Sequence, residues 1–145
     1  MTEVYTHKAQ YYETDQMGII HHSNYIRWME EARMNYLSSV GFPMERIEAE
    51  GIVSPVVSVN CKYKKVCRLN ELIDIAIKVK EYNGIKLVLE YKMFEQTSGE
   101  LRTVAGSEHC FTNKAGMLVN VKKVFPELDA ALRATLEALE VTDNK

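Results

Sequence analysis

What most constrains the folding of this chain is a change of hydrophobic period around Pro55. Before it, over residues 23–40, the apolar residues Tyr25, Trp28, Met29, Ala32, Tyr36, Leu37 and Val40 stand at offsets 0, 3, 4, 7, 11, 12 and 15, one face of a helix. Arg27, Glu30, Glu31 and Asn35 take the opposite face. Ser23 or Asn24 can cap the start by accepting an orphan backbone N–H, and Gly41 with Pro43 stops the other end. After Pro55 the period is two. Val57, Val59, Cys61 and Tyr63 alternate with Ser58, Asn60, Lys62 and Lys64, which predicts a half-buried strand. Ile73, Ile75, Ile77 and Val79 repeat that rhythm, Asn83-Gly84 predicts a hairpin turn, and Ile85, Leu87, Leu89, Tyr91 and Met93 resume it. Turn residues at 96–99 and 113–116 bracket a strand over 101–112. Pro126 opens a closing helix on which Leu128, Leu132, Leu136 and Leu139 share a face, and residues 141–145 are expected to fray.

One strand precedes the long helix, so the order is strand, helix, strands, helix. A sheet with one apolar face needs an apolar filler, and the helix at 23–40 is the obvious one. The expectation is an α+β fold, a curved antiparallel sheet of about five strands wrapped around that helix. Its edge strand and uncovered face would be left to meet a second copy, as a homodimer or homotetramer. With 145 residues, 46% hydrophobic and 26% charged, the chain suits one globular domain and neither a disordered nor a fibrous class. A net charge of −2 gives no global pull toward nucleic acid or anionic membrane. The polar start, the lack of a long apolar run and the odd count of 3 cysteines point to a cytoplasmic chain with reduced thiols.

Chemistry-bearing residue types crowd into residues 11–25, just ahead of the long helix. A helix N-terminus offers unpaired N–H groups and partial positive charge, so it can bind an anion or polarise a carbonyl oxygen. Asp15 lies seven residues before His22, and Gly18 between them lets the chain turn back toward the helix. Taken alone, an Asp ahead of a helix more often caps a turn or the helix itself. His21 and His22 have no third ligand at metal spacing, and Cys61 and Cys67 have no second pair. His7 and His109 show no partner in the sequence.

The pattern Thr14-Asp15-x-x-Gly18-x-x-x-His22-x-Asn24-Tyr25, followed by Trp28-Met29-Glu30-Glu31-Ala32-Arg33, resembles the signature of the hotdog-fold acyl-CoA thioesterases. The similarity is to the 4-hydroxybenzoyl-CoA thioesterase type, including the Tol-Pal-associated branch, and extends over roughly residues 5–125. It implies hydrolysis of an acyl-CoA to a carboxylic acid and free CoA, without metal or organic cofactor. Asp15 matches the family's catalytic carboxylate, as nucleophile or as general base on water. His22 matches the position whose backbone N–H polarises the thioester carbonyl, and Tyr25 an aromatic position close to the site. Loss of one such oxyanion donor costs about 3 kcal/mol in barrier.

CoA phosphates need cations, and Lys62, Lys64, Lys65 and Arg68 form the one dense basic cluster, which can equally be an exposed strand face. Some hotdog thioesterases carry their carboxylate on the central helix, which brings in Glu30 and Glu31. A solvated face with Arg27 and Glu31 paired four apart is the competing reading. The alternatives in function are a thioesterase acting on chains held by an acyl carrier protein, and a non-catalytic module that binds acyl thioesters.

Overall fold

The computed structural model describes the backbone of residues 3–143 and the side chains of residues 4–136. Strand β1 (Glu3–Lys8) leads through a single 3-10 turn (Tyr11–Glu13) and a loop into helix α1 (Ser23–Ser39). A short helix α2 (Met44–Ala49) precedes β2 (Val56–Tyr63), β3 (Leu72–Tyr82), β4 (Lys86–Glu95) and β5 (Leu101–Cys110). A turn of helix α3 (Val121–Val124) and α4 (Pro126–Asp143) close the chain. The five strands form one antiparallel sheet in the order β1-β3-β4-β5-β2, so β1 and β2 are its edges.

The two periodicities explain how the layers meet. Tyr25, Trp28, Met29, Ala32, Tyr36 and Leu37 of α1 are all buried. They belong to one core with Ile73, Ile75, Ile77 and Val79 of β3 and Leu87, Leu89, Tyr91 and Met93 of β4. Full burial of one such side chain contributes about 2 kcal/mol. Helix α1 ends as its Gly and Pro predict: Phe42 N–H returns to the Leu37 carbonyl at 2.8 Å across Gly41, whose φ is +93°. Helix α4 lies on β3, with Leu128 and Leu132 buried and the Tyr82 hydroxyl on Asp129 at 2.6 Å. It runs through Asp143, past the onset of the expected fraying, while residues 144 and 145 and the side chain of Leu139 lie outside the described residues. No helix among the described residues is long and apolar enough to cross a membrane.

Two features depart from the periodicity. Strand β2 is not half-buried: Val57 is 55% and Val59 40% exposed, because β2 pairs only with β5 and lies at the rim of the cover that α1 provides. The inward face of β5 is small and polar, built from Thr103, Ala105, Ser107 and His109. There the Ser107 hydroxyl bridges the Tyr91 hydroxyl at 2.8 Å and His109 Nε2 at 2.7 Å.

Burial, helped by Arg33, lowers the His109 pKa from its ordinary 6.5 to about 4. Between these values the unfolded chain holds the extra proton, so this group's contribution is complete above the unfolded pKa and is lost as pH falls toward the folded one, on the order of 3 kcal/mol. Urea unfolding of the wild type and His109→Asn at about pH 7 and about pH 4.5 checks it: the wild type should lose the more stability of the two, and equal losses would contradict the assignment.

Candidate functional site

The loop ahead of α1 is anchored through one residue. Glu13, only 4% exposed, accepts the Gln10 N–H at 2.8 Å and meets His7 Nε2 at 2.9 Å through Oε1, while Oε2 accepts the Trp28 indole N–H at 2.7 Å. Its backbone carbonyl accepts the His21 N–H at 2.8 Å and the Asn24 side-chain amide at 3.0 Å. Burial pushes the Glu13 carboxyl up, but the hydrogen bonds from His7, Trp28 and Gln10 outweigh it and hold the pKa below its ordinary value. Strand β1, the 3-10 turn and α1 are thus tied to one carboxylate.

Between Glu13 and His21 the chain makes a narrow turn. Thr14 bridges Ile20, Asp15 N–H donates to the Ile19 carbonyl at 2.8 Å, and Gln16, Met17 and Gly18 form the tip. Gly18 has φ +78°, the left-handed position that closes a three-residue turn of this kind. On its other side the loop is held by Ile19 bridging Arg68 and by the Ile20 N–H on the Cys67 carbonyl at 2.9 Å. The segment carrying Cys67 is in turn braced by Arg102, which donates to the Val66 carbonyl at 2.7 Å and grips both oxygens of Glu71 at 2.9 Å.

Asp15 uses Oδ1 to accept the Met17 N–H at 2.8 Å and, more weakly, the Ile19 N–H at 3.4 Å. The turn-capping role is therefore filled, and it leaves Oδ2 with no hydrogen-bond partner among the described residues. At the start of α1 the His21 N–H is taken by Glu13, the Ser23 N–H by His21 Nδ1 at 3.2 Å, and the Asn24 N–H by the His21 carbonyl at 3.0 Å. The His22 N–H has no such partner among the described residues. Asp15 and His22 line one cavity of about 250 Å³, with Met17, Ile20, Tyr25 and Tyr63 among its walls. A carboxylate oxygen and an amide at a helix N-terminus on one cavity supply a base or nucleophile and a donor for a developing oxyanion.

Tyr25 is a wall and a brace. It is 2% exposed, its hydroxyl accepts the Cys67 N–H at 3.2 Å, and its ring packs on Tyr63 with centroids 4.9 Å apart. Burial, then Cys67, raises its pKa far above the ordinary tyrosine value, so it keeps its proton. Gly18 shapes the loop and is not among the cavity walls. The four basic residues are not brought together. Lys62 faces away from the cavity into a groove of about 300 Å³ on the other side of the sheet, beside Lys80, Glu90 and Glu108. Lys65 pairs with Glu100 at 2.8 Å, and Lys64 is exposed beyond the end of β2. Arg68 alone of the four lies against the Asp15 loop.

Glu30 pairs with Arg33 at 2.7 Å. Glu31 does not reach for Arg27: Tyr5 and His7 approach it across the helix–strand contact at 3.1 and 3.0 Å. Among the described residues no three His, Cys, Asp or Glu side chains gather as a metal-holding group. Sequence reasoning missed Glu13, His7 and Tyr63, whose hydroxyl donates to the His22 carbonyl at 3.1 Å. For Glu13 a signal was present: Gln10 and Glu13 have capping-box spacing, and the Glu13 carboxylate accepts the Gln10 N–H while the Glu13 N–H donates to the Gln10 carbonyl at 3.0 Å. Glu13→Ala strands an indole N–H and a backbone N–H and takes from His7 one of its two carboxylate partners, so urea unfolding should show a loss of about 3 kcal/mol, against less than about 0.5 for the exposed Glu50→Ala.

Comparison with known proteins supports a family assignment. Residues 10–136 match the Thioesterase-like superfamily. A DHNA-CoA thioesterase from Staphylococcus aureus superposes with a TM-score of 0.91 at 32% identity, over 99% of this chain and 95% of that one. YneP of Bacillus subtilis (strain 168) is 36% identical over 86% of this chain and 90% of its own. The 4-hydroxybenzoyl-CoA thioesterase of Pseudomonas sp. (strain CBS-3) is 27% identical over 63% and 67%. The five-stranded antiparallel sheet with its helices is hotdog-like. This chain belongs to the Thioesterase-like superfamily.

Proposed function

We propose that this protein hydrolyses acyl-CoA thioesters to a carboxylic acid and free CoA. The observation that carries the reading is that the unpartnered Oδ2 of Asp15 and the unpartnered N–H of His22 belong to residues lining the same cavity. With the thioester carbonyl oxygen on the His22 amide, Asp15 draws a proton from a water molecule as its oxygen adds to the carbonyl carbon. The C–S bond then breaks and the thiolate of CoA leaves. Asp15 acting directly as nucleophile, through an anhydride that water then opens, uses the same two groups. The thiolate is a good leaving group, so neither route needs a strong acid, a metal or an organic cofactor.

Tyr25 and Tyr63 shape the cavity, with Tyr63 holding the helix start from outside through the His22 carbonyl. Arg68, against the Asp15 loop, is the cation best placed for a CoA phosphate; Lys62, on the far face of the sheet, serves one only across a subunit boundary. The working assembly is a homodimer or homotetramer. Strand β2 is an unpaired edge carrying exposed Val57 and Val59, with Ile26 of α1 exposed as well, and a second copy would cover them.

The test is thiol release from a panel of acyl-CoA esters, with the same acyl groups on an acyl carrier protein in parallel. Asp15→Asn should lower kcat at least about a hundredfold. His22→Pro removes the amide hydrogen at a residue whose φ of −57° proline accepts. Its loss should exceed that of His22→Ala by about a hundredfold. Unchanged activity in Asp15→Asn would overturn the mechanism, and turnover of carrier-bound chains alone would move the substrate from CoA to the carrier.

A further inference from the structure

Two cavities lie one behind the other in the seam between α1 and β2. Tyr25 of α1 and Tyr63 of β2 belong to the first, which holds Asp15 and His22. The second, of about 40 Å³, is walled by Ile26, Met29, Val56 and Val59 and reaches Ser107 and His109 of β5. Between them the Cys61 thiol donates to the Met29 thioether at 3.5 Å. The periodicities place this contact. Met29 stands one turn beyond Tyr25 on the buried face of α1, and along β2 Cys61 and then Val59 follow Tyr63 at alternate positions. From Tyr25 to Met29 the helix rises about 6 Å, the span of a phenyl ring or a short alkyl group.

We propose that the Met29–Cys61 contact is the stop that sets acyl length, so that the site takes short alkyl or single-ring acyl groups and excludes long chains. The inference rests on the thioesterase reading and adds its substrate class. An acyl group leading away from the His22 amide along the seam passes Tyr25 and Tyr63 and then meets the paired sulfur atoms. To go further it must part them or turn aside against Val57 and Val59, which are exposed in the single chain and covered in the proposed assembly. The second cavity shows that space exists behind the stop, with apolar walls from Ile26, Val56 and Val59. Removing either sulfur-bearing side chain joins the two spaces. Burial raises the Cys61 pKa, so the thiol keeps the hydrogen it donates.

The experiment measures kcat/KM on butanoyl-CoA, benzoyl-CoA and dodecanoyl-CoA for the wild type, Met29→Ala and Cys61→Ala under reducing conditions. The wild type should favour butanoyl-CoA and benzoyl-CoA over dodecanoyl-CoA by about tenfold or more, and each variant should raise the dodecanoyl-to-butanoyl ratio about tenfold. Circular dichroism checks folding. Should Met29→Ala not fold, Cys61→Ala alone decides, since an unchanged ratio in a folded variant overturns the stop. Equal wild-type rates on dodecanoyl-CoA and butanoyl-CoA overturn the stop and leave the thioesterase reading standing. No thiol release from any ester overturns both.

Discussion

A carboxylate shut away from water has to be matched donor by donor, and the way Glu13 is matched determines the geometry of everything near the cavity. The carboxylate's three partners are His7 of β1, the N–H of Gln10 capping the 3-10 turn, and Trp28 of α1, so satisfying one buried charge fixes a strand, a turn and a helix relative to one another. Its backbone carbonyl then fixes the first N–H of the approach to α1. Asp15 is two residues along, on a turn closed by its own Oδ1 and by Gly18, and inherits that geometry. The carboxylate at the cavity is held in place by interactions that leave its second oxygen free. Such preorganisation is what a group acting on a developing charge needs.

The sheet supplies the other half of the arrangement. Strands β3 and β4 present large aliphatic and aromatic residues and make a solid floor, whereas the inner face of β5 is small and polar and β2 stands partly clear of α1. Room for a small molecule therefore exists along the α1–β2 seam. The same feature leaves an apolar edge unpaired, so the cavity space and the exposed apolar edge arise from one cause.

Much of this was legible in the sequence because it is local. Helix α1, the strands β3 and β4, their Asn83-Gly84 connection and the Pro126 start follow from periodicity and turn chemistry within each segment. Asp15, Gly18 and His22 were legible as a motif. Exposure along β2 was not, since alternation shows which residues share a face and cannot show whether anything covers it. The basic cluster misleads for a related reason: contiguity in sequence is broken by strand alternation, which turns Tyr63 toward the cavity and Lys62 away from it. Glu13 depends on an indole fifteen residues later and on His7 in a different element, and Tyr63 on a carbonyl far along the chain. Helix α2 followed Pro43 with Glu45 in its first turn, a start signal overshadowed by its shortness.

In the proposed mechanism Asp15 and the His22 amide act on one carbonyl. A crystal structure of the protein with an acyl-CoA analogue in which a methylene separates the carbonyl from sulfur, and which water cannot cleave, tests it most directly. The carbonyl oxygen should lie within about 3 Å of the His22 nitrogen, with the Asp15 carboxylate facing the carbonyl carbon directly or through one water. A carbonyl bound against Glu30, or anywhere out of reach of the start of α1, would contradict it.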